Sequence, residues 1–185
     1  MINTPLRLLV LAAACFTSAA LAQHGAHSPY AGQQQRSVKA LSDKEVKELL
    51  DGAGMGFAKA AELNRYPGPM HALEHAAALE LTPTQREALT DLMKRHKADA
   101  RALGARVVEL ERELDALFAS KAVNEASLDL VLGALGEASA RLRGSHLKTH
   151  LETTALLTPL QVDRYVAVRG YAHPGAGAKD ATHRH

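Results

Sequence analysis

From Pro83 onward the chain alternates apolar and polar positions with a helical period. Leu89, Leu92, Ala100, Leu103, Val107, Leu110, Leu114 and Leu117 recur along one stripe, with His96 among them. One face of a helix is thereby apolar over many turns, a seam of coiled-coil type. Running from Pro83 to Ser120, such a helix is about 57 Å long at 1.5 Å per residue. That is too long for the centre of a globule, and the helix needs a partner along its length. Lys121 to Asn124 reads as a turn with Asn124 as the next N-cap, and a second stripe follows in Leu128, Val131, Leu135, Ala138, Leu142 and His146. This helix is predicted to run to about Leu156 and to fold back on the first as an antiparallel hairpin.

Two matching boxes flank the hairpin. In Leu81-Thr-Pro-Thr-Gln85, Thr82 suits an N-cap, Pro83 the first helical position, and Gln85 the third, where its side chain closes a capping box. Leu157-Thr-Pro-Leu-Gln161 repeats the design and opens a last helix that stops before Gly170. Upstream, Ser42 and Glu45 form another capping box, Val46, Leu49 and Leu50 give a helical face, and Gly52 ends it. Residues 55–64 read as a further short helix. Tyr66-Pro-Gly-Pro69 is a turn, and Pro69 or Met70 opens a helix that carries His71 and His75. No strand is predicted, so the fold class is all-α.

Composition sharpens this reading at the ends. Arg7, the apolar run Leu8 to Ala20 and the small-x-small site Ala20-Leu21-Ala22 describe a secretory signal, with cleavage expected before Gln23. Ala13-Ala14-Cys15 has the look of a lipoprotein site, but the apolar run before it is short. Cys15 is the only cysteine, so the exported chain has none; disulfides, thiolate chemistry, iron–sulfur clusters and covalently attached haem are excluded. The expected organisation is signal peptide 1–22, mobile Gln- and Gly-bearing arm 23–40, short-helix extension 41–68, helical domain 69–170 and a fraying tail 171–185. The formal net charge of +2 falls to +1 when Arg7 leaves with the signal. Such balance gives no footprint for nucleic acid.

Ten histidines are the compositional outlier. His71 and His75 are four apart, as are His146 and His150, so each pair shares a helix face. Centring the turn near residues 122 and 123 puts His96 level with Thr149, between His146 and His150. The shorter turn at residues 81 and 82 puts His71 level with about residue 92, and His75 with about residue 88. His71, Met93, His96, His146 and His150 then fall within a turn or two of one another, with Glu74 and His75 just outside. The candidate ligands are therefore His71, His75, His96, His146 and His150, with Glu74 or Glu152 as a further ligand or an orienting carboxylate. Imidazole sets of this kind suit a borderline divalent ion, zinc first, with nickel, cobalt or copper as alternatives. His24, His27, His183 and His185 lie in the arm and tail, where they bind metal loosely or serve solvation alone.

The paired Leu-Thr-Pro-x-Gln boxes, on an exported all-helical chain, resemble the two Leu-Thr-x-x-Gln motifs of the Spy/CpxP family of periplasmic stress proteins. The resemblance spans roughly residues 69–170. It implies a long hairpin wrapped by shorter helices and an intertwined, cradle-shaped homodimer whose concave face binds unfolded client proteins without ATP. The histidine pairs are similar to those of the metal-binding ZraP-like and CnrX-like branch. There a His-x-x-x-His pair precedes the first box, as His71 and His75 do. A carboxylate early on the long helix completes the pattern, but its position falls near Met93, with His96 one turn on. The branch's His-x-x-x-Met before the second box is here His146 and His150, so the thioether is missing and the branch's metal preference does not carry over.

The expected function is that of a periplasmic, non-enzymatic envelope-stress protein. It binds clients without ATP and also binds a divalent heavy metal through inter-helix histidines. The alternative is a metal sensor or buffer without general chaperone activity, read by a membrane sensor protein. Catalysis is not expected: no nucleophile–base pair, phosphate loop, zinc-protease His-Glu-x-x-His or Glu-x-x-His motif is present.

Overall fold

The structure, a computed structural model, describes residues 28–171. The predicted signal peptide and its cleavage site, Cys15, His24, His27 and the tail from residue 172 lie outside the described residues. The chain divides into two compact units, Met1–Ala31 and Gly32–His185. Of the first, residues 28–31 form a turn closed by the Ala31 amide on the Ser28 carbonyl at 2.8 Å. The second unit holds every element described below.

The described residues are all-helical, without a strand. A 3-10 turn at Gln33–Gln35 is followed by α1 (Asp43–Leu50), α2 (Lys59–Glu62), α3 (Pro69–Glu74), α4 (Pro83–Ala119), α5 (Glu125–Leu156) and α6 (Pro159–Val168). The predicted caps are all in place. Ser42, Thr82, Asn124 and Thr158 each accept from the amide three residues on, and the side chains of Glu45, Gln85, Ser127 and Gln161 reach back. These reciprocal bonds satisfy donors that a helix start leaves open, which is why element boundaries could be read from sequence.

The long helices α4 and α5 pack along each other as the apolar stripes require, with α1 and α3 on α4 and α2 on α5. One core gathers Val38, Leu49, Ala100, Val108, Leu110 and Leu142 around the middle of the hairpin. A second gathers Ala72, Leu79, Leu81, Leu89, Leu157 and Tyr165 at its open end. The approach of α1 to α4 depends on Gly104: a Cβ there would lie 2.2 Å from the Leu49 carbonyl oxygen. Any side chain at that position would push α1 off its core.

Three features differ from the sequence-based expectation. Val38 lies within the stretch expected as a mobile arm, yet it is fully buried, and Lys39 pairs with Asp115 on α4 at 2.8 Å. A single apolar residue in a polar tract has no period to announce it. The helix carrying His71 ends at Glu74, with His75 as its cap, and turns follow to Glu80, whose φ is +51°. Finally, His96 meets Ser145 and His146 where Thr149 was expected to lie level with it.

The boxes do more than start helices. Gln85 and Gln161 face each other across the open end of the hairpin. Gln85 Nε2 donates to Gln161 Oε1 at 2.8 Å, and Gln161 Nε2 donates to Gln85 Oε1 at 2.9 Å. Each Oε1 also accepts the amide of its own N-cap, Thr82 at 3.0 Å and Thr158 at 2.9 Å. Gln85 Nε2 further reaches the Leu156 carbonyl at 2.9 Å. Only a carboxamide carries both the acceptor and the two donors that this clasp uses.

Candidate metal centre

Beside the clasp, a cleft of about 600 Å³ opens between α3, α4, α5 and the segment Gly52–Glu62. His71, His96, His146 and His150 border it, with Met93 and Glu62. Of the five described histidines, only His75 is not among the lining residues. His75 caps α3, its amide still bonded to the His71 carbonyl at 3.1 Å.

His71 and His150 are each held through Nδ1. His150 Nδ1 lies 2.7 Å from the Tyr66 carbonyl oxygen. A carbonyl only accepts, so Nδ1 carries the proton and Nε2 of the neutral ring is a bare lone pair. His71 Nδ1 donates to Glu74 Oε2 at 2.8 Å, the carboxylate–imidazole pairing that orients metal ligands. The same bond holds the Glu74 carboxyl below its usual range. The sequence expectation that Glu74 orients an imidazole therefore has a matching contact. Glu152 instead faces Arg95 at 3.9 Å.

His146 and His96 form a pair on facing helices. His146 Nδ1 and His96 Nε2 are 3.1 Å apart, and their ring centroids are 4.5 Å apart, edge to face. His96 Nδ1 continues the chain to Ser145 Oγ at 3.2 Å. Both His96 nitrogens are thus engaged, and the ring serves as the partner that fixes His146. Phe57 covers His146 from the other side, with ring centroids 5.4 Å apart. His146 is 5% exposed, and its Nε2 is buried without any hydrogen-bond partner. Burial, followed by the nearby His96, His150 and Lys97, lowers its pKa to about 4. The ring is therefore neutral at physiological pH, the form a metal ligand needs.

Gly68 bears on the same cleft. A Cβ at Gly68 would stand 3.0 Å from both Cε1 and Nε2 of His150 and 3.8 Å from Glu62 Oε2. The missing side chain keeps the free nitrogen of His150 open. Glu62 itself was missed by the sequence reading. It sits on the four-residue α2, and no spacing rule ties it to the histidines. Its Oε1 accepts from Tyr165 Oη at 2.7 Å and Arg169 Nε at 3.3 Å. Burial and that bond raise the tyrosine's pKa.

The donor chemistry fits a borderline divalent ion: imidazole nitrogens free at Nε2, one of them buried and orphaned, and orienting partners on Nδ1. The spacing is that of an open cleft. Among the described residues, no three His, Cys, Asp or Glu side chains stand close enough together to hold a metal ion as placed. Among the described residues, no helix is long and apolar enough to cross a membrane.

A family described as heavy-metal resistance matches residues 52–164, well over half of the chain. The match begins at Gly52, where the cleft begins, and covers all the histidines that border it. No curated protein and no solved structure matches the chain.

Proposed function

The chain belongs to the heavy-metal resistance family, a Spy/CpxP-like helical group, and we propose that it is an exported, non-enzymatic protein that binds a divalent transition ion in the cleft at the open end of its hairpin. The observation that carries this reading is the orphaned Nε2 of His146, buried in a cleft that His71 and His150 also border. His71, His146 and His150 would hold the ion, zinc first, and His96 would orient His146. A bound ion would tie α3 to α5 and stabilise that arrangement in proportion to its concentration. In the periplasm such a protein buffers the metal or reports it to a membrane partner.

A second reading, compatible with the first, is client binding without ATP. It is favoured by the exposed apolar residues on the long hairpin and α6. Leu130 is 75% exposed, Phe118 56%, Leu151 55% and Leu160 59%. Clients, or a second copy of the chain, would cover such residues where they adjoin.

Calorimetric titration of the chelator-treated protein with Zn²⁺, Ni²⁺, Co²⁺ and Cu²⁺ tests the first reading. About one tight site per chain is expected, and it should be lost when His71 and His146 are both changed to Ala. Unchanged affinity in that variant would move any uptake to the arm and tail. For the second, substoichiometric protein should slow aggregation of a chemically unfolded client without ATP.

A further inference from the structure

We infer that Glu62 is the anionic ligand of this centre, supplied by the extension that precedes the first box. The inference rests on the metal reading above and names a donor that the histidine pattern does not contain. Glu62 is 13% exposed at its side chain, as is His150. Its Oε1 is fully used by Tyr165 and Arg169. Its Oε2 is buried and has no hydrogen-bond partner, and the residue lines the cleft that the imidazoles border. His150 Nδ1 stands 3.7 Å from Oε2, beyond hydrogen-bond reach, so this oxygen is buried without the bond that a buried charged acceptor needs.

Gly68 locates the gap. The point where its Cβ would stand lies 3.0 Å from His150 Nε2 and 3.8 Å from Glu62 Oε2. Both atoms therefore lie within 4 Å of one point that the sequence keeps free of side chain, and Glu62 Oε2 is also 3.7 Å from His150 Nδ1. Modest movement of either group brings both to the roughly 2.0–2.2 Å that zinc takes from imidazole and carboxylate. With a carboxylate, the set becomes nitrogen and oxygen donors on α2, α3 and α5. Because Oε1 stays with Tyr165 and Arg169, ligation by Oε2 also couples the ion to α6, which carries Tyr165.

The test compares Zn²⁺ affinity of the full chain with that of Glu62→Gln and Tyr165→Phe. Gln keeps an oxygen for the tyrosine and loses the charge; Phe removes the hydrogen bond and leaves the carboxylate. The expected result is about a tenfold or greater loss of affinity in E62Q and less than about a threefold change in Y165F. An E62Q protein that binds as tightly as the original, or a Y165F protein that loses as much, overturns the ligand role. Should E62Q fail to fold, the unaltered chain still decides: the carboxyl ¹³C resonance of Glu62 should shift on Zn²⁺ addition more than those of Glu74 and Glu152, and an equal or smaller shift overturns the inference. An unaltered chain that takes up no Zn²⁺, Ni²⁺, Co²⁺ or Cu²⁺ fails earlier, at the metal reading itself.

Discussion

The glutamine clasp and the histidine cleft sit side by side at the open end of one hairpin, yet they satisfy their polar atoms in opposite ways. In the clasp, both Gln85 and Gln161 use donor and acceptor alike, and the Tyr165 packed nearby finds Glu62 for its hydroxyl. In the cleft, His146 Nε2 and Glu62 Oε2 are buried with no hydrogen-bond partner. A satisfied buried network rigidifies a fold, whereas an unsatisfied one lowers stability and persists where something outside the chain completes it. The clasp ties the ends of the hairpin together; the cleft keeps polar atoms that a ligand could complete.

Breaking the clasp should have the largest effect. Gln161→Ala removes half of the capping box of α6 and both clasp bonds to Gln85; denaturant titration should show a loss of about 2–3 kcal/mol. The cleft's contribution appears with pH. His146 has a folded-state pKa of about 4, below the ~6.5 of an unfolded chain. The unfolded state therefore binds the extra proton first. Metal-free protein should be at full stability above about pH 6.5 and lose it as pH falls toward 4, by about 2 kcal/mol at pH 5. Unfolding curves of the chelator-treated protein across that window check this, and the slope should flatten in His146→Leu.

The same variant sharpens the contrast at pH 7. Replacing the orphaned imidazole by an apolar side chain should leave stability within about 1 kcal/mol, while Zn²⁺ affinity drops about tenfold, or 1.4 kcal/mol, by calorimetry. Gly68→Ala should act through position alone. Its methyl presses on the His150 ring, and affinity should fall about threefold, under 1 kcal/mol by the same conversion, with the circular dichroism spectrum unchanged. His75→Ala should be the quietest change, with Zn²⁺ affinity within about twofold. A tenfold loss there would return His75 to the centre.

Much of this molecule was legible in the chain. Capping residues and apolar period are local, so α1, α4, α5 and α6 start where Ser42, Thr82, Asn124 and Thr158 say they should. The pairing of His146 with His96 followed from topology to within about one turn. The helix carrying His71 was read one residue too long, since nothing in Leu-Glu-His-Ala marks a stop. Glu62 was invisible, because α2 is a single turn whose position is set by its packing on α5. Val38 was overlooked because one apolar residue makes no pattern.

By itself, then, the sequence determined what depends on neighbours along the chain: helix type, helix ends, the hairpin and the two boxes that flank it. Tertiary structure alone decided which polar atoms meet. It turned two capping glutamines into a clasp, made His96 a partner of His146, left His75 off the cleft, and carried Glu62 to its edge. The reason is physical. Hydrogen bonds within a helix are fixed by spacing of a few residues, whereas hydrogen bonds and unpaired donors between helices depend on rotations and shifts of an ångström or two, and many packings of the same stripes share one pattern.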